Sequence, residues 1–70
     1  MLSPLDKKFA AFVKKHRGEQ SYPVFAKKMG LSMSTIFRIE RCEQSVTLKT
    51  VHQILERLNC TLADVFGEEF

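Results

Sequence analysis

Along the run Met33 to Arg41, MSTIFRIER, two kinds of side chain segregate on opposite sides of a helix. At about 100° per residue, Ile36, Ile39 and Glu40 fall on one side, and Met33, Ser34, Phe37, Arg38 and Arg41 fall on the other. The first set can pack, so the second must face something else. Its chemistry is that of a base-reading surface. Arg38 carries a planar guanidinium fork that matches O6 and N7 of guanine, and Ser34 can donate or accept one hydrogen bond. Met33 and Phe37 offer no hydrogen bond, but they can cover the methyl group of thymine. The same residues admit a plainer use, in which Arg38 only touches phosphate and Phe37 shields it from water.

Other chemistry finds little support. His16, His52, Cys42 and Cys60 have none of the paired spacings of a zinc site. His52 lies beside the apolar stripe of a helix, where a partly buried structural histidine is the ordinary outcome. No nucleophile has a base nearby in sequence, and no glycine-rich phosphate loop is present. Neither catalytic residues nor metal ligands nor a cofactor are therefore expected, and the chain reads as a non-enzyme. Two cysteines without a secretion signal are expected to be free thiols.

The elements that would position the base-reading face are strongly signalled. Ser21 is a good N-cap, Pro23 sits in the first turn where a missing N–H costs nothing, and Phe25, Ala26 and Met29 recur at helical spacing. Gly30 supplies the left-handed residue that closes this helix, and Ser32 caps the next one, which spans residues 33–41. Leu31 and Ile36 form a hydrophobic staple across that second cap. Two short helices joined by a tight Gly-centred turn make a helix-turn-helix, and its second helix fits the major groove of B-DNA.

The rest of the chain builds around that pair. Ser3-Pro4-Leu5-Asp6 opens a first helix through a capping box, with Leu5, Phe9, Phe12 and Val13 as its apolar stripe and Gly18 at its end. Thr47 caps a fourth helix whose buried face is Leu48, Val51, Ile54, Leu55 and Leu58, and Asn59 closes it in left-handed form. Thr61 to Asp64 is another capping box, so a short fifth helix runs to about Phe66 before Gly67. The expected fold is all-α: a compact five-helix arrangement in one domain, residues 1–70, with the helix-turn-helix at helices 2 and 3.

The run FAKKMGLSMSTIFRIERC resembles the phage repressor and Cro type of helix-turn-helix domain, also described as xenobiotic-response-element-like. In that pattern Leu-Ala, Gly, a capping Ser or Thr, Ile, Glu and a terminal Gly recur at this spacing. TLKTVHQILERLNCTLADVF resembles the fourth and fifth helices of the same lambda-repressor-like fold. The resemblance implies base contacts from Met33, Ser34, Phe37 and Arg38. It also implies an arginine at the position of Lys14 that pairs with the glutamate matching Glu40. A lysine there keeps the charge but loses the bidentate fork, and Lys14 either forms this pair or stands exposed. Tyr22 stands where the family often has a Gln that bonds a phosphate and braces the recognition helix. Its hydroxyl can donate to a phosphate, or its ring simply packs on the loop. Cys42 replaces the terminal Gly, so that turn is either mildly strained or differently shaped.

Charge distribution agrees with a phosphate-facing surface. The chain has a net charge of +3 over 70 residues, and residues 1–30 hold seven Lys or Arg against Asp6 and Glu19. Asp64, Glu68 and Glu69 make the tail acidic. Lys14, Tyr22, Lys27, Lys28, Arg41, Gln44 and Ser45 are the phosphate-contacting candidates, although Glu43 adds repulsion at that turn. A solvated basic surface is the alternative.

The expected function is that of a sequence-specific double-stranded DNA-binding transcriptional regulator, such as a Cro-like repressor. Its site would be a palindromic operator bound by a homodimer, joined through Val65, Phe66 and Phe70. Seventy residues leave no room for a separate ligand-sensing domain, so no small-molecule effector is expected. With neither signal peptide nor an apolar run near 18 residues, a cytoplasmic protein without membrane contact is expected. The alternative is a protein-interaction module on the same fold, antitoxin-like or adaptor, because Met33 and Phe37 are large apolar side chains for a wet groove face.

Overall fold

The computed structural model describes residues 4–43 and 45–67, and among these it contains five α-helices and no strand. They are α1 (Pro4–Arg17), α2 (Tyr22–Met29), α3 (Met33–Glu40), α4 (Leu48–Leu58) and α5 (Leu62–Phe66). α1 packs on α3 and α5, while α2 packs on α3 and α4. The helix-turn-helix is thus held between the first and fourth helices.

The local signals act as their chemistry requires. Ser21 Oγ accepts from the Val24 N–H at 3.3 Å, and Ser32 Oγ accepts from Thr35 N–H at 3.2 Å. Gly30 adopts φ 70°, ψ 29°, and the next N–H, from Leu31, donates to Ala26 O at 3.0 Å. That six-to-one bond turns the chain sharply and satisfies a carbonyl α2 would otherwise leave open. Thr47 Oγ1 accepts from Thr50 N–H at 3.2 Å, Asn59 closes α4 at φ 57°, and Thr61 with Asp64 forms both halves of a capping box. α3 closes at Glu40, with Arg41 as its C-cap and Cys42 left-handed at φ 56°. Of the two outcomes open at Cys42, the strained one holds, and it costs a non-glycine residue roughly 1 kcal/mol. Ser3 lies outside the described residues; Asp6, its expected capping partner, accepts the Val46 N–H at 3.4 Å.

Phe9, Phe12, Val13, Phe25, Ala26, Met29, Ile36, Ile39, Ile54 and Leu55 form one buried cluster. Four expected core residues are not in it: Val51 and Leu58 pack against it only partly buried, and Leu5 and Leu48 stand outside it. Leu5 is 45% exposed and Leu48 is 86% exposed. Both sit in the first turn of their helices, where the helix has not yet come under a partner, so the apolar period continues past the region that can be covered. With Phe9, Val46, Val51, Leu62 and Phe66 they edge an apolar hollow of about 410 Å³.

Candidate nucleic-acid interface

Helix α3 is clamped from behind by a carboxylate. The side chain of Glu40 is only 3% exposed, and Arg17 grips it twice, through Nε to Oε2 at 2.7 Å and through a terminal nitrogen to Oε1 at 3.0 Å. The Tyr22 hydroxyl also donates to Oε1 at 3.3 Å, and a further Arg17 N–H donates to Gln20 O at 3.0 Å. The Arg17 guanidinium lies 4.2 Å from the centre of the Tyr22 ring, a cation–π contact. Hydrogen bonding to the Glu40 carboxylate holds the guanidinium pKa above its ordinary value, so Arg17 stays charged wherever the protein folds. Three helices meet at this one buried acid.

Of the two outcomes open at Lys14, the exposed one holds, and the partner of Glu40 is Arg17. α1 runs to Arg17, so its last turn reaches α3, whereas Lys14 lies almost one turn earlier and is exposed. Arg17 also retains the bidentate fork that a lysine would have lost.

A second brace comes from α4, and it has no counterpart among the sequence-based expectations. Gln53 Nε2 donates to Met29 O at 2.7 Å and to Gly30 O at 3.1 Å, and Arg57 donates to Lys28 O at 3.2 Å. These side chains satisfy the terminal carbonyls of α2 at the turn itself. The available signal was an amide and a guanidinium one turn apart on the polar side of α4.

On its outer side α3 presents Met33, 50% exposed, and Phe37, 41% exposed. The Phe37 and Tyr22 rings meet edge to face with centroids 5.6 Å apart, and the Arg41 guanidinium lies over the Phe37 ring, 5.1 Å from its centre. Tyr22, Met33, Ser34 and Phe37 line an open hollow of about 310 Å³. Ser34 Oγ lies 3.2 Å from Ser32 Oγ. Arg38 is exposed and takes part in none of the ion pairs among the described residues. Arg41 differs, since its Nε pairs with Glu43 at 2.7 Å in the open.

The remaining candidates divide by place. Lys27 and Lys28 are exposed in the last turn of α2, and Ser45 is exposed after α3. Tyr22 points its hydroxyl inward at Glu40 while its ring walls the outer hollow. Val65 and Phe66 are half-buried against the core. Gln44 and Phe70 lie outside the described residues. Cys42 and Cys60 are free thiols, and the described residues include no cluster of metal-ligating side chains and no helix long and apolar enough to cross a membrane.

A family model described as Helix-turn-helix matches residues 13–65, which takes in α2, α3, α4 and the last turn of α1 that carries Arg17. No curated protein and no solved structure matches the chain.

Proposed function

We propose that this chain, which belongs to the Helix-turn-helix family of DNA-binding regulators, is a sequence-specific transcriptional regulator that inserts α3 into the major groove. The observation that carries this reading is the contrast between the two sides of α3. The inner side is locked through Glu40 to Arg17 and Tyr22, while the outer side presents an exposed Arg38 beside Ser34, Met33 and Phe37. A rigid helix with an open guanidinium fork is what base readout requires, because the orientation of the fork is set before the DNA arrives.

In this reading Lys14, Lys27, Lys28 and Arg41 meet phosphates and fix the helix in register, with Ser45 donating from the following turn. Arg41 contributes less than a free arginine, since Glu43 already offsets part of its charge. Tyr22 acts mainly through its ring and through Glu40, leaving its hydroxyl little freedom to reach a phosphate. The protein works as a homodimer on a palindromic operator, with two copies of α3 about one DNA turn, roughly 34 Å, apart. The apolar hollow edged by Leu5, Leu48 and Leu62, next to Phe66, supports a contact between copies at that end of the domain.

Selection of bound duplexes from a random pool tests the reading. An enriched inverted repeat with a guanine in each half-site is expected, and a pool that never departs from random would contradict it. The second reading, a protein-interaction module, is favoured by one observation: Met33, Phe37 and Val24 are all exposed on the helix-turn-helix. It replaces the first if no duplex is retained while Phe37→Ala abolishes binding to a protein partner.

A further inference from the structure

The hollow on the outer side of α3 has a composition that specifies what it can take. Three of its four lining residues, Tyr22, Met33 and Phe37, present carbon, and the fourth is Ser34. The walls are set before any ligand arrives: Tyr22 is held by its hydroxyl on Glu40 and by Arg17 on its ring, and Phe37 is in contact with both Tyr22 and Arg41. On the face that meets base edges, the apolar groups available to fill such a space are the 5-methyl group of a pyrimidine and the C5–C6 edge that bears it. A space of about 310 Å³ admits both.

We infer that this hollow is a 5-methylpyrimidine subsite, and that it takes thymine and 5-methylcytosine alike. The inference rests on the reading that α3 enters the major groove. The lack of distinction follows from Ser34. Thymine and 5-methylcytosine share the methyl group and differ at position 4, where thymine has a carbonyl acceptor and cytosine an amino donor. A serine hydroxyl serves either, because it rotates and can both donate and accept. Ser32 Oγ, 3.2 Å away, is already engaged by the Thr35 N–H and lies 2.8 Å from Thr35 Oγ1, so the hydroxyl that adapts to the base is that of Ser34. No amide or carboxylate of fixed polarity lines the hollow among the described residues. The site therefore reads a methyl group rather than a base, and methylation of cytosine at that position creates a binding determinant.

The test uses the full chain and a duplex recovered from a random pool, with affinities measured by fluorescence anisotropy. Replacing thymines one at a time with uracil removes only a methyl. At one thymine in each half-site the affinity should fall about four-fold, the value of burying one CH2-sized group. At that position a cytosine–guanine pair should bind more weakly than its 5-methylcytosine counterpart by a similar factor. Met33→Ala and Phe37→Ala should each shrink both ratios toward one. Met33 is half exposed, so its variant decides the matter if Phe37→Ala unfolds by circular dichroism. Tight duplex binding with no change on removing any thymine methyl, or on methylating cytosine, overturns the inference. So does a methyl preference that survives undiminished in the folded variants, which would place the methyl elsewhere. A preference for thymine over uracil without one for 5-methylcytosine over cytosine would show that position 4 is read and overturn the equivalence. If no duplex is bound at all, the major-groove reading falls and takes this inference with it.

Discussion

Arg38 and Arg17 do opposite work with the same functional group. Arg38 is exposed on the outer face, where its fork is free to meet guanine, whereas the fork of Arg17 is spent on Glu40 inside the domain. Arg17→Lys keeps the charge but cannot span both carboxylate oxygens, and Arg17→Ala leaves a 3% exposed Glu40 side chain without its cation. Thermal denaturation should order the proteins wild type, Arg17→Lys, Arg17→Ala from most to least stable; equal melting temperatures would mean that the clamp contributes nothing. Because the Arg17 pKa is raised, its share of stability is fully present below the ordinary arginine value and is lost only as pH rises through the higher folded value. No loss from the arginine side is thus expected anywhere in the physiological range. The link between Arg17 and Glu40 was not legible in the sequence, since the two stand 23 residues apart and meet only because α1 and α3 cross at that point. The family resemblance left Lys14 either paired with Glu40 or exposed; the exposed outcome holds, and the residue that pairs lies almost one turn of helix further on.

Among the helices and turns, the caps were legible because each acts within a few residues of itself. Ser21, Ser32, Thr47 and Thr61 all accept the backbone N–H three residues on, and Gly30 and Asn59 close their helices left-handed. Periodicity was less reliable at helix starts: it shows which residues share a stripe but not where the neighbouring helix stops, so Leu5 and Leu48 were assigned to a core that does not reach them. The α4 brace was illegible for the same reason as the Arg17 clamp. Gly30→Ala tests the turn and the brace together. A Cβ there would lie 2.9 Å from Gln53 Nε2 and 3.0 Å from an Arg57 nitrogen, at φ 70°. A decrease of about 1–2 kcal/mol in urea unfolding is expected from the backbone alone, with more if the two side chains are displaced. The reverse change is available at Cys42, whose φ is 56°. Cys42→Gly should raise the free energy of urea unfolding by up to about 1 kcal/mol, and a lower value would show that the half-buried thiol contributes more than the strain costs.

The molecule as a whole is a basic domain with a net charge of +3, which in the proposed complex meets phosphates along one face and a second copy along another. Sedimentation should find a dimer on DNA, and a monomer at high concentration both free and bound would remove the palindrome. Binding should weaken as salt rises. Lys27→Ala with Lys28→Ala should lower the slope of log K against log salt by about 0.9 for each phosphate that is no longer neutralised, nearly equally for all sequences. An unchanged slope would take both lysines out of the interface. Sequence preference is more telling, because charge alone produces binding but not discrimination. The deciding measurement is the affinity of the wild-type protein and of folded Arg38→Ala for a selected duplex and for its single-base-pair variants. If α3 reads bases through Arg38, the variant binds the selected duplex more weakly by about 1–3 kcal/mol, and its preference relaxes at one guanine-bearing base pair in each half-site. A uniform weakening across every duplex, with all preferences intact, would contradict base readout by this residue.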